Sequence, residues 1–554
     1  MNICELLKAR AARNPEAPAI IEPRLGRSRS ISFGELEAAA AQAAALLQQE
    51  GLSRGDRVLV FQPMSAELYI ALLAIFRLGM VAMFLDPSVG REHIERCCAL
   101  SPPKALIAGA KIHLLRLLSP ALQRIPVKFS IGLPVPGAVS WSRARRLPSY
   151  DPIQPCGEET PALLTFTSGS TGDPKGALRS HGFLRAQHRI LEQSLELTPG
   201  EVDLTTLPVF VLANLGSGVT SLIPDADLRR PGSINPARLL RQIRAHQPTR
   251  TVASPALLEC LADHCAKLNE TLPGLKRVFT GGGPVFPGML GKLRSMAPMA
   301  EIIAVYGSTE AEPIALIRHH QVPSEDRAAM AAGRGLLAGP PVPAVQLRIL
   351  PDRWGRPLGP YSRAAFAAVC LPPGQAGEIV VSGGHVLSEY LNGRGAQETK
   401  FIVEGTVWHR TGDAGYLDQR GRVWLLGRCA ARIQDALGTL YPFTVECVAH
   451  QLPGIRRSAV ASLNGRRILA VEFDPHPTHP DLASLKAALA RVPIHEIQVY
   501  KRIPMDKRHN AKIDYPALQT LVTKSSREDA QYGKVLAQQD LSTPLDASGP
   551  SLRN

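Results

Sequence analysis

Hydrophobic and polar positions along the chain follow two spacings, and the exchange between them predicts the elements. Residues 32–51 read Ser-Phe-Gly-Glu-Leu-Glu, then an alanine-rich run to Gly51, which predicts an amphipathic helix with a glycine stop. Short apolar runs at 57–61 and 104–109 predict strands. Residues 68–85 are almost wholly apolar and nearly long enough to span a bilayer. Arg77 and Gly79 interrupt that run and Asp86-Pro87 follows it, so the reading is a buried helix ending near Gly79 and a strand at 80–85. Residues 134–155, rich in Pro, Ser and Arg, predict a loop. A strand at 163–166, a helix at 181–197, a strand at 202–207 ending at Pro208-Val209-Phe210, a helix at 239–245 and strands at 250–253, 277–280 and 301–306 continue the alternation. Strands alternating with helices give an α/β fold class with parallel-rich sheets and flanking helices.

From about Gly374 the pattern shifts to short strands: 378–382, then a hairpin at 416–426 turning at Asp418-Gln419-Arg420-Gly421. The boundary of the large N-terminal domain is placed at Gly427-Arg428, giving 1–428. A small α+β lid domain follows at 429–523. It holds a hairpin of 458–463 and 466–473 around Asn464-Gly465, a helix at 482–490 and a strand near 497–500. Residues 524–554 are polar, lack a period and are expected to be disordered.

One stretch carries chemistry on its face. Residues 167–176 read Thr-Ser-Gly-Ser-Thr-Gly-Asp-Pro-Lys-Gly at the end of the strand at 163–166. Glycines let backbone N–H groups turn toward an anion, and Thr167, Ser168, Ser170, Thr171 and Lys175 add donors for phosphate oxygens. With Gly169 and Gly172, this is a loop for a polyphosphate. It lacks the Gly-x-x-x-x-Gly-Lys-Ser/Thr spacing of a P-loop. A flexible Ser/Gly linker is the competing reading, and the flanking strand, Pro174 and Lys175 count against it. Two further strands run into glycine-containing turns, Gly281-Gly282-Gly283-Pro284 and Gly307-Ser308-Thr309-Glu310. Open α/β sheets bind ligands at the carboxyl ends of their strands, so these turns predict one crevice.

Composition narrows the classes. An apolar share of 45% with 20% charged residues is ordinary for a soluble globular protein. The formal charge of +15 comes from scattered arginines, with small clusters at 24–29 and 143–146, and implies affinity for anions. Aromatic residues make up only 5%, too few to interleave with bases, so nucleic acid is not expected as a partner. Nine cysteines show no CxxC pair or metal-ligand spacing, and no signal-peptide core opens the chain, so a cytoplasmic location is expected.

The ten-residue loop resembles the signature phosphate loop of the adenylate-forming superfamily, which includes acyl-CoA synthetases, luciferases and peptide-synthetase adenylation domains. Four more segments resemble that superfamily's motifs in order, over roughly residues 30 to 520. The resemblance implies that Gly281, Gly282, Gly283 and Pro284 lie against the adenine of ATP. It implies that Tyr306, in Tyr306-Gly307-Ser308-Thr309-Glu310, stacks on it, that Thr309 bonds the α-phosphate and that Glu310 binds Mg²⁺. Thr411-Gly412-Asp413 is similar to the Thr-Gly-Asp motif, with Asp413 on the ribose hydroxyls and Arg428 nearby. Asn510-Ala511-Lys512-Ile513-Asp514 is similar to the C-terminal motif whose lysine, here Lys512, neutralises charge that grows during adenylation. Each short motif alone is mostly a surface turn or a solvated lysine; together, in order, they are not.

Departures sharpen the resemblance. Ala430 and Ala431 stand where the hinge usually carries Lys-Asp, Gln434 replaces a lysine, Val211 replaces a His or aromatic residue, and Ala511 replaces a glycine. These leave adenylation intact and put thioester formation with coenzyme A in doubt. With residues 508–514, the whole is most similar to the β-lactone synthetases of bacterial long-chain olefin biosynthesis. That implies activation of a long-chain 2-alkyl-3-hydroxy fatty acid, then attack by its own 3-hydroxyl. His181 is a candidate general base, with a packed histidine as the competing reading. Phe210, Val211, Leu212 and Leu215 are expected to line the substrate pocket. The implied company is other olefin-pathway enzymes and peripheral contact with a membrane. A fatty-acyl-CoA synthetase or fatty-acyl-AMP ligase is the alternative, and a non-catalytic nucleotide-binding scaffold the third reading.

Overall fold

A computed structural model of the chain describes residues 1–24, 26–85, 90–168, 174–393, 395–452, 454–474, 487–490, 492–506, 512–525 and 534–538. Two large sheets share the N-terminal part. The first has seven strands in the order Val139–Ser140, Val127–Ile131, Ala105–Gly109, Arg57–Phe61, Val81–Phe84, Pro161–Ser168 and Pro174–Ser180. All are parallel except the last, which runs back antiparallel to Pro161–Ser168. The period of two buries both faces: Val58 and Val60 join one apolar cluster with the helices Cys4–Arg13, Phe33–Gln49 and Ala66–Arg77, while Leu59 and Phe61 join another with Arg91–Leu100. The second sheet has eight strands, ordered Ala311–Arg318, Glu301–Ser308, Arg277–Gly281, Arg250–Ala253, Val202–Thr205, Thr220–Leu222, Pro18–Arg24 and Arg27–Ser32. Its inner six strands are parallel and its two outer strands antiparallel.

Local chemistry explains the elements. The helix Phe33–Gln49 starts at a capping box, in which Ser32 Oγ accepts from Glu35 N–H and Glu35 Oε2 accepts from Ser32 N–H. The apolar run at 68–85 divides as expected into Ala66–Arg77 and Val81–Phe84. Arg77, 1% exposed, donates to Glu37 and to the Tyr150 and Asp151 carbonyls, so its charge is met inside the fold. Among the described residues no helix is long and apolar enough to cross a membrane.

A third, antiparallel sheet packs Leu336–Gly339, Val423–Arg428, Thr406–Leu417, Gly377–Ser382 and Gln346–Leu350 in that order, with Lys400–Val403 also on Thr406–Leu417. Beyond Arg428 the residues Ile433 to Val522 form apolar clusters of their own. There Ile455–Leu463 and Arg466–Phe473 make the expected hairpin, and Glu496–Val499 adds in parallel. Of the helix expected at 482–490, residues 487–489 are helical and 482–486 lie outside the described residues.

Three expectations change. The strand at 202–207 stops at Thr205, and Pro208–Ser217 is a helix. Pro208 has its fixed φ and missing N–H in the first turn, where helices tolerate both. The loop at 134–155 contains the short strand Val139–Ser140 and a 3₁₀ turn, Trp141–Arg146, held by Trp141 packing edge-on to Phe129 at 5.8 Å. Residues 524–554 are not wholly without structure, because Lys534–Gln538 pairs antiparallel to Glu496–Val499. The run Val535-Leu536-Ala537 suits an edge whose N–H and C=O groups would otherwise stay unpaired.

Candidate active site

The two glycine turns meet because their strands are neighbours: Arg277–Gly281 and Glu301–Ser308 pair in parallel, with Gly281 beside Val305. A Cβ at Gly281 would come within 2.5 Å of the Val305 carbonyl, so only glycine allows this approach. The chain then opens a crevice of about 280 Å³, lined by Gly282, Gly283, Pro284, Tyr306, Gly307, Asp413, Arg428 and Lys512 among others. Residues separated by 230 positions thus converge, as the motifs predict. The antiparallel hairpin supplies Asp413 and Arg428, which are partners across its ladder. Gly412, at φ +70, lies under the Trp354 ring, where a Cβ would meet it at 2.9 Å.

Polar contacts fix the crevice wall. Tyr306 donates its hydroxyl to Asp413 Oδ2 at 2.9 Å, and Arg428 Nη1 lies 3.2 Å from Asp413 Oδ1. Arg428 also donates to the Thr411 carbonyl, and Thr411 Oγ1 accepts from Asp413 N–H. Burial, then the Asp413 carboxylate, pushes the Tyr306 hydroxyl pKa up, so it stays a donor. Lys512 comes from the C-terminal part, where its carbonyl accepts from Asp506 N–H and its N–H donates to Asp506 Oδ1. Burial, then Arg428, lowers its pKa below the usual lysine range, while Asp413, Asp506 and Glu312 oppose that shift. Asp413→Ala would remove two acceptors and strand Tyr306 and Arg428, so the ATP dissociation constant should rise about 10–100-fold. Isothermal titration checks this, and an unchanged constant counts against the ribose role.

Around Glu310 lies a second cluster. Tyr390 donates to Glu310 Oε1 at 3.0 Å, and Ser308 Oγ accepts from Glu310 N–H. Arg179, 6% exposed, reaches from the strand Pro174–Ser180 to the Thr309 carbonyl at 2.8 Å, tying the first sheet to the second. Lys400 lies 5.4 Å over the Tyr390 ring and donates to the Leu387 carbonyl; burial brings its pKa down to about 7. Lys175 Nζ lies 2.5 Å from Glu398 Oε2. One hard carboxylate is a donor that suits Mg²⁺ when its other ligands are oxygens of a bound phosphate and water. Among the described residues no group of three or more His, Cys, Asp or Glu could cage a metal by itself.

Other expectations stand differently. Thr167 and Ser168 end their strand opposite Lys175 and Pro174. Gly169, Ser170, Thr171 and Gly172 lie outside the described residues. His181 is not brought to the crevice. It is fully buried at the far end of Pro174–Ser180, roughly 20 Å along the strand from the loop. Its Nδ1 accepts from Ile3 N–H at 3.3 Å, Phe76 packs edge-on to it, and burial lowers its pKa to about 4. It is a packed neutral histidine. Nor do Phe210, Val211, Leu212 and Leu215 line one pocket. On a helix, consecutive side chains diverge by about 100°. Phe210 enters the cluster around Leu191 and Phe279, Val211 and Leu215 the cluster around Phe76, and Leu212 and Leu215 border a narrow apolar crevice beside Leu73.

Sequence reasoning missed Glu312, Tyr390, Lys400, Glu446 and Tyr515. Glu312, half-buried, faces Gly307; desolvation pushes its pKa up to about 7 against the opposing charge of Lys512. Its position two residues past Glu310, on entering an extended strand, was the available signal. Glu446, 2% exposed, accepts from the Tyr515 hydroxyl at 3.0 Å, three residues after Lys512. Burial raises its pKa from 4.5 to about 8. The folded chain therefore keeps a proton that the unfolded chain has lost, and this group's contribution to stability falls as pH rises across that window. Glu446→Gln should raise the melting temperature relative to the parent by an amount that grows from about pH 5 to about pH 8. A pH-independent difference would remove the proton from the explanation.

A family model described as AMP-binding enzyme matches residues 7–391. An olefin beta-lactone synthetase of Stenotrophomonas maltophilia (strain K279a) is 32% identical over 507 residues, covering 87% of this chain and 90% of that one. An olefin beta-lactone synthetase of Xanthomonas campestris pv. campestris is 31% identical, covering 87% and 89%. An indoleacetate–CoA ligase of Aromatoleum aromaticum is 28% identical, covering 83% and 85%. Among solved structures, ATP-bound MatB from Rhodopseudomonas palustris superposes with a TM-score of 0.77 at 21% identity, covering 95% of this chain and 100% of that one. An anthranilate CoA ligase in complex with anthranoyl-AMP gives 0.79 at 17% identity, covering 95% and 98%. These two establish the fold.

Proposed function

The chain belongs to the AMP-binding enzyme family, and from that premise we propose that it converts a long-chain 2-alkyl-3-hydroxy fatty acid into a β-lactone at the expense of ATP. The observation that carries activation is Lys512 in one crevice with Tyr306, Asp413 and Arg428. The β-lactone outcome is supported by the two olefin beta-lactone synthetases, which are similar over 87% of the chain, and by Ala430 and Ala431 at the hinge position.

In the first step a carboxylate oxygen of the acid attacks the α-phosphorus of ATP, and the bond to pyrophosphate breaks. The poor leaving group, oxide, is thereby replaced by AMP. Asp413 and Arg428 would hold the ribose, Tyr306 and residues 281–284 the adenine, and Lys175 the outer phosphates after exchanging Glu398 for them. Lys512 would meet the charge that grows at the α-phosphate. Glu310 would hold Mg²⁺, which screens phosphate charge from the incoming carboxylate. In the second step the 3-hydroxyl oxygen attacks the acyl carbon, the bond to AMP breaks, and the hydroxyl proton leaves. The ring closes within one molecule, so effective molarity, which reaches about 10⁵–10⁸ M in well-oriented cases, replaces a second substrate. We assign residues 1–428 to the large domain and 429–523 to a lid that delivers Lys512.

The experiment is mass analysis of products from the protein, ATP, Mg²⁺ and a 2-alkyl-3-hydroxy fatty acid, with and without coenzyme A. A product lighter than the acid by one water, formed without coenzyme A, is expected. A thioester formed only with coenzyme A would replace this reading by that of an acyl-CoA ligase.

A further inference from the structure

Nine large hydrophobic side chains are exposed among the described residues, and four of them, Leu114, Leu117, Leu118 and Leu133, fall within twenty positions. Their exposure runs from 63% to 76%. The first three belong to Ala110–Leu114, the 3₁₀ turn Leu115–Leu117 and its cap. Ile112 and Leu115 pack inward against the cluster under the first sheet, which anchors the segment and turns Leu114, Leu117 and Leu118 outward. Leu133 follows the strand Val127–Ile131 in a turn next to the same segment. Arg116 Nη2 lies 3.5 Å from where a Cβ on Gly137 would stand, and His113 Nε2 lies 3.0 Å from the Phe129 carbonyl.

Charge around this patch is mostly positive, with one carboxylate, Glu95, beside Leu118, accepting from Ser119 Oγ and the Ala121 N–H. Residues 96–150 contain no Asp or Glu, but nine Lys and Arg. Arg96, Lys104, Arg143 and Arg145 pair with carboxylates from elsewhere. Lys111, Arg116, Arg124 and Lys128, which lie within six positions of these leucines in sequence, show no carboxylate partner among the described residues. Burial, then the neighbouring Arg116, lowers the Lys128 pKa, so an arriving anion would relieve that repulsion.

We propose that this patch is a membrane-docking surface, seating Leu114, Leu117, Leu118 and Leu133 in the interfacial layer of an anionic bilayer with Lys111, Arg116, Arg124 and Lys128 on its headgroups. Apolar side chains accompanied by an excess of cations are the composition that binds in that layer. A protein partner is less well matched. Protein interfaces concentrate their binding energy in Trp, Tyr and Arg, with Leu under-represented, and Leu alone supplies the exposed apolar area here.

The test is co-sedimentation of the full chain with vesicles of equal phosphatidylglycerol and phosphatidylcholine, and with phosphatidylcholine alone. The parent should sediment with the anionic vesicles and be released as salt rises. Leu114→Ser/Leu117→Ser/Leu118→Ser should lower partitioning at least about tenfold. Lys111→Glu/Arg124→Glu should also lower it, with both variants melting at the parent's temperature. These residues lie outside the crevice, so the folding control does not depend on the reaction assigned above. A parent chain that stays in the supernatant overturns the proposal. So does a leucine variant that binds undiminished, or a patch that captures another protein while ignoring vesicles.

Discussion

Lys512→Ala is expected to slow pyrophosphate release about 10²–10³-fold, the usual cost of deleting one donor aimed at charge that develops in the transition state. The effect should fall on kcat, with a smaller change in KM for ATP, because Asp413, Tyr306 and Arg428 remain to hold the nucleoside. Lys512 sits beside Arg428, and burial together with that neighbour lowers its pKa. It must be protonated to act, so kcat/KM should decline on the alkaline side at a pH below the ordinary lysine value of 10.5. Lys512→Arg should recover part of the rate and lose that decline, since a guanidinium does not titrate there. Near-normal pyrophosphate release from the alanine variant would sink the assignment.

The crevice was legible in the sequence because its parts are short motifs with fixed chemistry, two at the ends of neighbouring strands and Thr411 to Asp413 within a third. Gly281-Gly282, Tyr306 to Glu310 and Thr411 to Asp413 each carry residues whose type alone limits what they can do, and their strands are adjacent or share a hairpin. Parallel pairing followed from alternation of strands with helices. What the sequence left hidden depends on contacts between distant positions. The reach of Arg179 to the Thr309 carbonyl, the seat of Lys400 over Tyr390 and the bond from Tyr515 to Glu446 link residues with no shared motif. Phe210 to Leu215 misled because an apolar run after a proline fits a pocket wall and a buried helix equally well. His181 misled for a related reason: nearness in sequence to the phosphate loop says nothing about distance when an extended strand of seven residues intervenes.

The largest loss of stability is expected from Glu378→Ala. Glu378 and Arg410 are 0% and 1% exposed and bond side-on, Arg410 Nε to Oε1 at 3.0 Å and Nη2 to Oε2 at 2.6 Å. The same guanidinium donates to the Arg353 and Arg356 carbonyls and lies 5.3 Å from the Trp354 ring, which covers Gly412. Removing the carboxylate leaves a buried cation uncompensated, at a cost of about 3–5 kcal/mol. That is a large part of the roughly 5–15 kcal/mol that holds a typical domain folded. Arg410 directly precedes Thr411-Gly412-Asp413, so ATP affinity should weaken along with stability. Glu378→Leu/Arg410→Met, which removes both charges and keeps the volume, should recover most of the stability, because much of the single-variant loss comes from the unpaired charge rather than from the pair. Denaturant unfolding of the three chains decides it. A Glu378→Ala variant within about 1 kcal/mol of the parent would mean that water or another carboxylate reaches Arg410, and the strand that carries Asp413 would then owe its position to its ladder alone.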